Sequence, residues 1–467
     1  MKNYFKSYIK STLNNFNFSL DRISQTQKDI LKLKKIENIN LRLKESKLML
    51  NKDKNNPLIY LIIAEALHDL AHQDQFHYLN LYNSKNIEWL EETKLNKLNL
   101  EFIWQGNFTG SLGNHFPVES LLYANELNLR NKKNLFLLLS NKPRNSHLFK
   151  YFAPYLNVIE NKEHIPFFGK LSEVLTLPLG LCVPLKNSCP YLDIASSITQ
   201  GKFLQSETHN PLFQLLEEDY IQGNKILTEL GIPKNSWYVT LHVRETGYRD
   251  TKNPSLDLWR NADPNDYIRA IKQITKLGGY VFRMGDKSMT KMPDIPNLID
   301  YAHSKIKSEF MDVFLGATCA FSIGTSSGYY HIPLIFSRPI IYTNSPLFLE
   351  YFGLRNRDIY LPRLLKNKKD NSYITFSEFT KPPTSTYASQ ENYNNSELYI
   401  EKNNSEDILN AVNEMIEIVI NKKKIILSDY QKKFKEIIKR KKDNYCSEMY
   451  PNGMISKSFI EKYNHLL

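Results

Sequence analysis

Apolar residues recur three and four apart from about residue 26 to 98 with almost no glycine, a spacing that predicts a run of amphipathic helices. At Leu98 the period changes. Residues 98–104 read as a strand, 105–115 (QGNFTGSLGNH) as a glycine-bearing loop, 116–129 as a helix with Pro117 in its first turn, and 134–139 (NLFLLL) as a buried strand. Residues 155–159 and 174–177 could add strands before a helical stretch at 212–230. A second unit of the same kind follows Gly231-Ile-Pro233. It reads as strand 237–244, helix 264–277 capped by Asp263, strand 279–284, a short strand 297–301, helix 309–317, strand 320–323, loop 324–328, a helix, and strand 339–343. Strands alternating with helices imply parallel sheets whose ligands sit beyond the strands' carboxyl ends.

The expected fold is therefore α/β: a pair of Rossmann-like units with parallel sheets, enclosing a cleft and preceded by an α-helical region. The boundaries fall at 1–97 for the helical region, 98–230 for the first unit, 231–365 for the second, and 366–467 for a loop or insertion followed by helices. Within the first region Tyr60, Ile63, Ala64 and Leu67 fall at the spacing of the first helix of a tetratricopeptide repeat, which the segment resembles. Small Ala64 would let a partner helix approach closely. A lone hairpin cannot bury its own face, so it should stack on its neighbours or on the next domain, and it offers a surface for a protein partner. A plain helical cap accounts for the same residues.

Lys and Arg number 61 against 49 Asp and Glu, a net charge of +12 that suits an anionic partner such as a nucleotide phosphate. Much of that excess matches a general abundance of Lys, Asn and Ile. The basic residues are dispersed except near the end of the chain, and no nucleic-acid reader motif is present, so nucleic acid is not an expected partner. Four cysteines, Cys182, Cys189, Cys319 and Cys446, are too scattered for a disulfide framework or a paired metal motif. No apolar run is long enough to cross a bilayer, and the amino terminus lacks a signal-peptide core. The expected location is the cytoplasm. A helix at 428–442 carries the run KKFKEIIKRKK beside Phe434, Ile437 and Ile438; it could touch the inner face of an anionic membrane or pack on its own domain.

Two segments hold the densest chemistry. His242 and Arg244 share one face at the end of strand 237–244, where an arginine fork beside an imidazole suits a diphosphate. Pairing of Arg244 with Glu245 or Asp250 is the alternative use. The second segment is Gly324-Thr325-Ser326-Ser327-Gly328, whose backbone N–H groups and hydroxyls could cradle phosphate oxygens. It lacks the P-loop order, so an ATPase of that type is not expected. Both segments should lie at the same edge of one sheet.

Read together, LHVRETGYRD, LWRNADPNDYIRAI, GGYVFRMGD, LIDYAHSKIKSEFMDVFLGA and FSIGTSSGYYHIPLIFSRPIIYTN resemble the C-terminal half of a bacterial family of GT-B glycosyltransferases. Its members accompany surface-polysaccharide and glycan-modification functions, and some carry tetratricopeptide repeats. The likeness spans about 230–346, and more loosely 113–115. The His-Val-Arg segment is also similar to one in fucosyltransferase-like GT-B enzymes, which implies that Arg244, with His242 beside it, binds the donor diphosphate. The resemblance likewise places Gly324, Thr325, Ser326, Ser327 and Gly328 at the phosphates. It sets Arg260, Asn261 and Arg283 facing the cleft, and Glu309 or Asp312 near base or ribose. A capping Glu309 and a solvated Asp312 are equally open.

The expected activity is that of a glycosyltransferase moving a sugar from a nucleotide-sugar donor to a glycan or protein acceptor. No two Asp stand two apart, so the DxD arrangement that holds a divalent ion is missing and no metal or other cofactor is expected. The acceptor-side base in such an enzyme comes from the first unit, where His115 and Glu119 are the candidates. A non-catalytic protein that binds sugar nucleotide and recruits a partner through its helices is the rival reading, and a sugar-nucleotide epimerase a third.

Overall fold

The structure is a computed structural model and describes residues 27–160, 162–190, 195, 199, 211–246, 259–345, 351, 353–381, 383–387, 389–439 and 452–467. The first 26 positions of the expected helical region, Asp250 and Cys446 lie outside the described residues.

After helical residues 27–31 and a short 3-10 helix, Lys32–Lys35, come three helices, Ile39–Lys52, Pro57–Asp69 and Gln75–Glu92. The second has a well-formed start: Asn56 accepts from the Leu58 N–H, and Pro57 occupies a position whose own N–H would have gone unused. This helix is apolar over most of its surface because most of it is covered. Tyr60, Leu61 and Ala64 pack on Leu79 and Tyr82 of the next helix and on Leu181, Cys182 and Cys189 of the following unit. Ile59, Ile62, Ile63 and Leu67 meet Ile30 and Leu33. Asn83 Nδ2 donates to the carbonyls of Leu185 and Ser188, fastening the third helix to the same loop. The helical hairpin thus stacks on the next domain.

Strands β1 (Leu100–Ile103), β2 (Asn134–Leu138) and β3 (Asn157–Ile159) form a parallel sheet in that order. Helices cover both faces, which is why these strands read as unbroken apolar runs. The further strand expected at 174–177 reduces to one parallel bridge, Phe102 to Thr176, since helix Ile165–Leu175 occupies the start of that segment. A short apolar run fits either period, and here the helix takes it.

The second sheet has seven parallel strands. Six of them are β4 (Tyr238–His242), β5 (Tyr280–Arg283), β6 (Leu298–Ile299), β7 (Phe321–Gly324), β8 (Ile340–Ser345) and β9 (Ile359–Pro362). The seventh, β12 (Met454–Ile455), comes from near the end of the chain, and the spatial order is β12-β9-β8-β7-β4-β5-β6. The chain leaves β4 on one side through β5 and β6, then returns to β7 on the other. Between β4 and β7 lies the topological switch point, where open α/β sheets hold their ligands. Two parallel-stranded units, one on each side of a cleft, make the architecture GT-B-like.

Residues beyond 365 build more than an insertion. A short antiparallel pair, β10 (Leu364–Asn367) and β11 (Leu398–Glu401), brackets the polar stretch between them. Helices Ser405–Val419, Asp429–Ile438 and Lys457–Lys462 pack on the second sheet, and β12 pairs with β9 inside it. In the basic helix Phe434 and Ile438 are buried in that core, Phe434 against Tyr351 and Phe376, so its apolar side faces the protein. Among the described residues no helix is long and apolar enough to cross a membrane.

Candidate functional site

Parallel pairing of β4 with β7 sets His242 directly opposite Gly324. The chain continues past both strand ends in contact: Thr325 donates its N–H to the His242 carbonyl at 3.2 Å, and its Oγ1 accepts the Arg244 N–H at 2.9 Å. Ser327 Oγ lies 3.0 Å from His242 Nδ1, and the Tyr329 ring stacks on the imidazole at 5.5 Å. The arginine-bearing strand end and the hydroxyl-bearing loop are therefore one structural unit. Burial, then the charges of Arg283 and Arg244, push His242 down to about 3, so its ring is neutral at physiological pH.

A cavity of about 270 Å³ opens at this point and runs between the two units. From the second unit it is lined by His242, Arg244, Arg260, Lys307, Ser327 and Tyr329 among others; from the first come Ser111, Leu112, Arg144 and Asn145. Four carboxylates also line it, and each is held by protein groups. Glu245 pairs with buried Arg283 and accepts the Thr290 N–H. Asp286 accepts from Ser288, Asp312 from Tyr301 and Lys307, and Glu309 from Lys142 and the Ser146 N–H. Burial raises Asp312 despite Lys307. Glu309 goes the other way: against the effect of burial, Lys142 and the Ser146 N–H hold its carboxyl below the usual range.

Glu309 also joins the two units. It begins helix Glu309–Thr318 in the second, and its carboxylate reaches the start of helix Ser146–Phe152 in the first, accepting at 2.8 Å from Ser146 N and from Lys142 Nζ. Asn145 Nδ2 returns a bond to the Glu309 carbonyl at 3.0 Å. A second meeting point is tighter. A Cβ at position 328 would lie 2.5 Å from the Gly113 nitrogen, so only glycine lets the loops at 113 and 328 touch backbone to backbone.

The candidate residues divide accordingly. His242, Arg244, Arg260, Glu309, Asp312, Ser327 and Gly328 line the cavity. Gly324, Thr325 and Ser326 sit behind it, Thr325 and Ser326 almost fully buried, and they fix the geometry of the lining. Arg283 does not face the cleft: it is 0% exposed, and Glu245 holds it behind the wall. Asn261 is not among the lining residues, and its backbone carbonyl accepts from Arg363. His115 and Glu119 also lie outside the lining, 2% and 1% exposed. Helix Phe116–Glu126 is buried on nearly every side, so a residue one turn into it points into protein. Burial pushes His115 down to about 3 and Glu119 up to about 8, the latter despite Arg355. Arg144 and Asn145 carried no motif, and Lys307 and Tyr329 lay within matching motifs without being singled out. Their one sequence signal was position, in segments just beyond or between strand ends.

Among the described residues no group of three or more His, Cys, Asp or Glu side chains is placed to hold a metal ion. No family model and no curated protein matches the chain. It is similar to the solved structure of a glycosyl transferase family 9 protein from Veillonella parvula, at 11% identity over 68% of this chain and 97% of that one, with a TM-score of 0.40. It is also similar to the iron-containing dodecameric glycosyltransferase TibC from enterotoxigenic E. coli H10407, at 15% identity over 54% of this chain and 60% of that one, with a TM-score of 0.32. A third is the E. coli ADP-heptose lipopolysaccharide heptosyltransferase II, at 13% identity over 53% of this chain and 85% of that one, with a TM-score of 0.31.

Proposed function

We propose that this chain is a glycosyltransferase that binds a nucleotide-diphosphate sugar at the β4/β7 switch point and passes the sugar to a glycan acceptor held over the first unit. The observation that supports this best is the coupling of Arg244 and Ser327 around His242 at the mouth of one cavity. Transfer leaves a nucleoside diphosphate whose growing charge needs fixed donors. Arg244 and Arg260 supply guanidinium groups, and Ser327 acts through the ring of His242. With the Ser327 hydroxyl donating to Nδ1, the neutral His242 ring keeps its proton on Nε2 as a further donor. Lys307, beside Asp312, completes the cationic wall on the ribose side.

Departure of the diphosphate stabilised by these cations needs no metal. His115 and Glu119 take no part in this scheme. The acceptor hydroxyl would enter from the side of Ser111, Leu112 and Arg144. Surface-polysaccharide assembly is the setting this reading favours.

Melting curves with ADP, UDP, GDP and CDP test the donor site, because a ligand bound only by folded protein raises the midpoint. At least one of them should raise it by several degrees in the wild type and not in Arg244→Ala. No shift with any of the four would remove the assignment.

A further inference from the structure

Trp104 follows β1 directly and is 58% exposed, an unusual setting for the largest apolar side chain. Its ring is nonetheless held in place. A Cβ on Gly106 would lie 2.3 Å from two ring carbons, so the indole rests against the Gly106 backbone while more than half of the residue stays open to solvent. From that glycine, two hydrogen bonds lead to the cavity: Asn114 Nδ2 donates to the Gly106 carbonyl at 3.2 Å, and Asn114 Oδ1 accepts from Ser111 Oγ at 2.6 Å. Ser111 is in the cavity lining. On the other side Gln105 Oε1 accepts from both the N–H and the hydroxyl of Ser140, just beyond the carboxyl end of β2. Its amide nitrogen has no hydrogen-bond partner among the described residues.

The side chains bonded into the turn that follows Trp104 are thus neutral amides and hydroxyls: Gln105, Ser111, Asn114 and Ser140. An aromatic plate fringed by such groups suits a pyranose, whose axial C–H face lies on the ring while its hydroxyls exchange hydrogen bonds at the edge. A lipid would need more apolar area than one indole offers. We infer that Trp104 is the stacking platform of an acceptor subsite, taking a sugar ring of a glycan at the carboxyl edge of the first sheet. This rests on the transferase reading for its place in a reaction, and it names the acceptor as carbohydrate.

The test is saturation-transfer NMR on the full chain with methyl β-D-glucopyranoside, methyl β-D-galactopyranoside and methyl α-D-mannopyranoside. Wild type and Trp104→Phe should give transfer concentrated on one face of at least one sugar, and Trp104→Ala should bind it roughly tenfold more weakly. Nucleotide-induced melting shifts, measured on the same samples, should be equal in all three proteins. Equal sugar binding by Trp104→Ala, no binding of any of the three sugars, or loss of the nucleotide shift in Trp104→Ala would each overturn the platform. If nucleotides fail to shift the wild type while sugar binding still depends on Trp104, the donor assignment falls and the platform stands.

Discussion

The two parallel-stranded units meet the cavity in different ways. In the second, the lining grows from the ends of neighbouring strands whose register is fixed by the sheet, so His242, Arg244 and Ser327 are placed by backbone pairing as well as by packing. In the first, the lining comes from the loop at 111–112 and the turn before helix Ser146–Phe152, and bonds to Glu309 of the other unit add to those within its own. One wall is built by its own sheet, and the facing wall is built of loops tied to both units. A rigid charged wall suits a group common to many donors, whereas a wall of loops suits an acceptor that differs between enzymes.

The sharpest way to break this relation is Gly328→Val. Its branched side chain would push against the Gly113 nitrogen, with an expected loss of about 3 kcal/mol or more in urea unfolding. Next, Arg244→Ala should lower transfer at least about a hundredfold with little change in melting temperature, about 2.7 kcal/mol of lost transition-state stabilisation. Arg144→Ala, on the opposite wall, should cost less than about tenfold. Equal losses would mean that the two walls do not divide the work between donor and acceptor.

Glu119 gives a pH test. Its folded pKa, about 8, exceeds the ordinary 4.5, so between those values the folded chain holds a proton that the unfolded chain has released. Stability should therefore be lost as pH rises through that window, and Glu119→Gln should remove the loss. Comparing the two proteins, the variant's advantage should grow by about 3 to 4 kcal/mol from pH 5 to pH 8 in chemical denaturation. A gap that does not change with pH would mean the carboxyl is ionised in place. His115 and His331 act oppositely. Both are held neutral by burial, His331 also by His115, so their contribution is lost as pH falls below about 6.5. The smallest expected effect is that of Glu309→Ala, about 1 kcal/mol, because the Lys142 pair it breaks is largely exposed and the Ser146 N–H can turn to water. Its clearer sign should be a wider cleft, read as a larger radius of gyration in solution scattering.

Legibility in the sequence followed the same division. Strands β1, β2, β4, β5, β7 and β8 could be read from apolar period and flanking turns, and so could the meeting of His242 with the 324–328 loop, because neighbouring parallel strands bring their ends together. Which charged groups face the ligand was less readable. Arg283 and Arg260 both sit in matching motifs, and only the pairing of Glu245 with Arg283 removes one of them from the cavity. His115 and Glu119 were candidates for the acceptor-side base from their place beside a glycine loop, yet the helix that begins there is enclosed by both units. Arg144 and Lys307 line the cavity from loops on opposite sides of it, a placement that no local pattern encodes. β9 and β12 were missed for a similar reason: strands of four and two residues give little periodic signal, and β12 is defined by a partner far away in the chain.

That partnership bears on biogenesis. Met454 and Ile455 cover the outer edge of β9, so a ribosome must carry the chain from Pro362 to Met454 before the larger sheet is closed on that side. During that interval the nascent domain presents bare N–H and C=O groups along an apolar strand, the kind of surface that recruits chaperones and seeds aggregation.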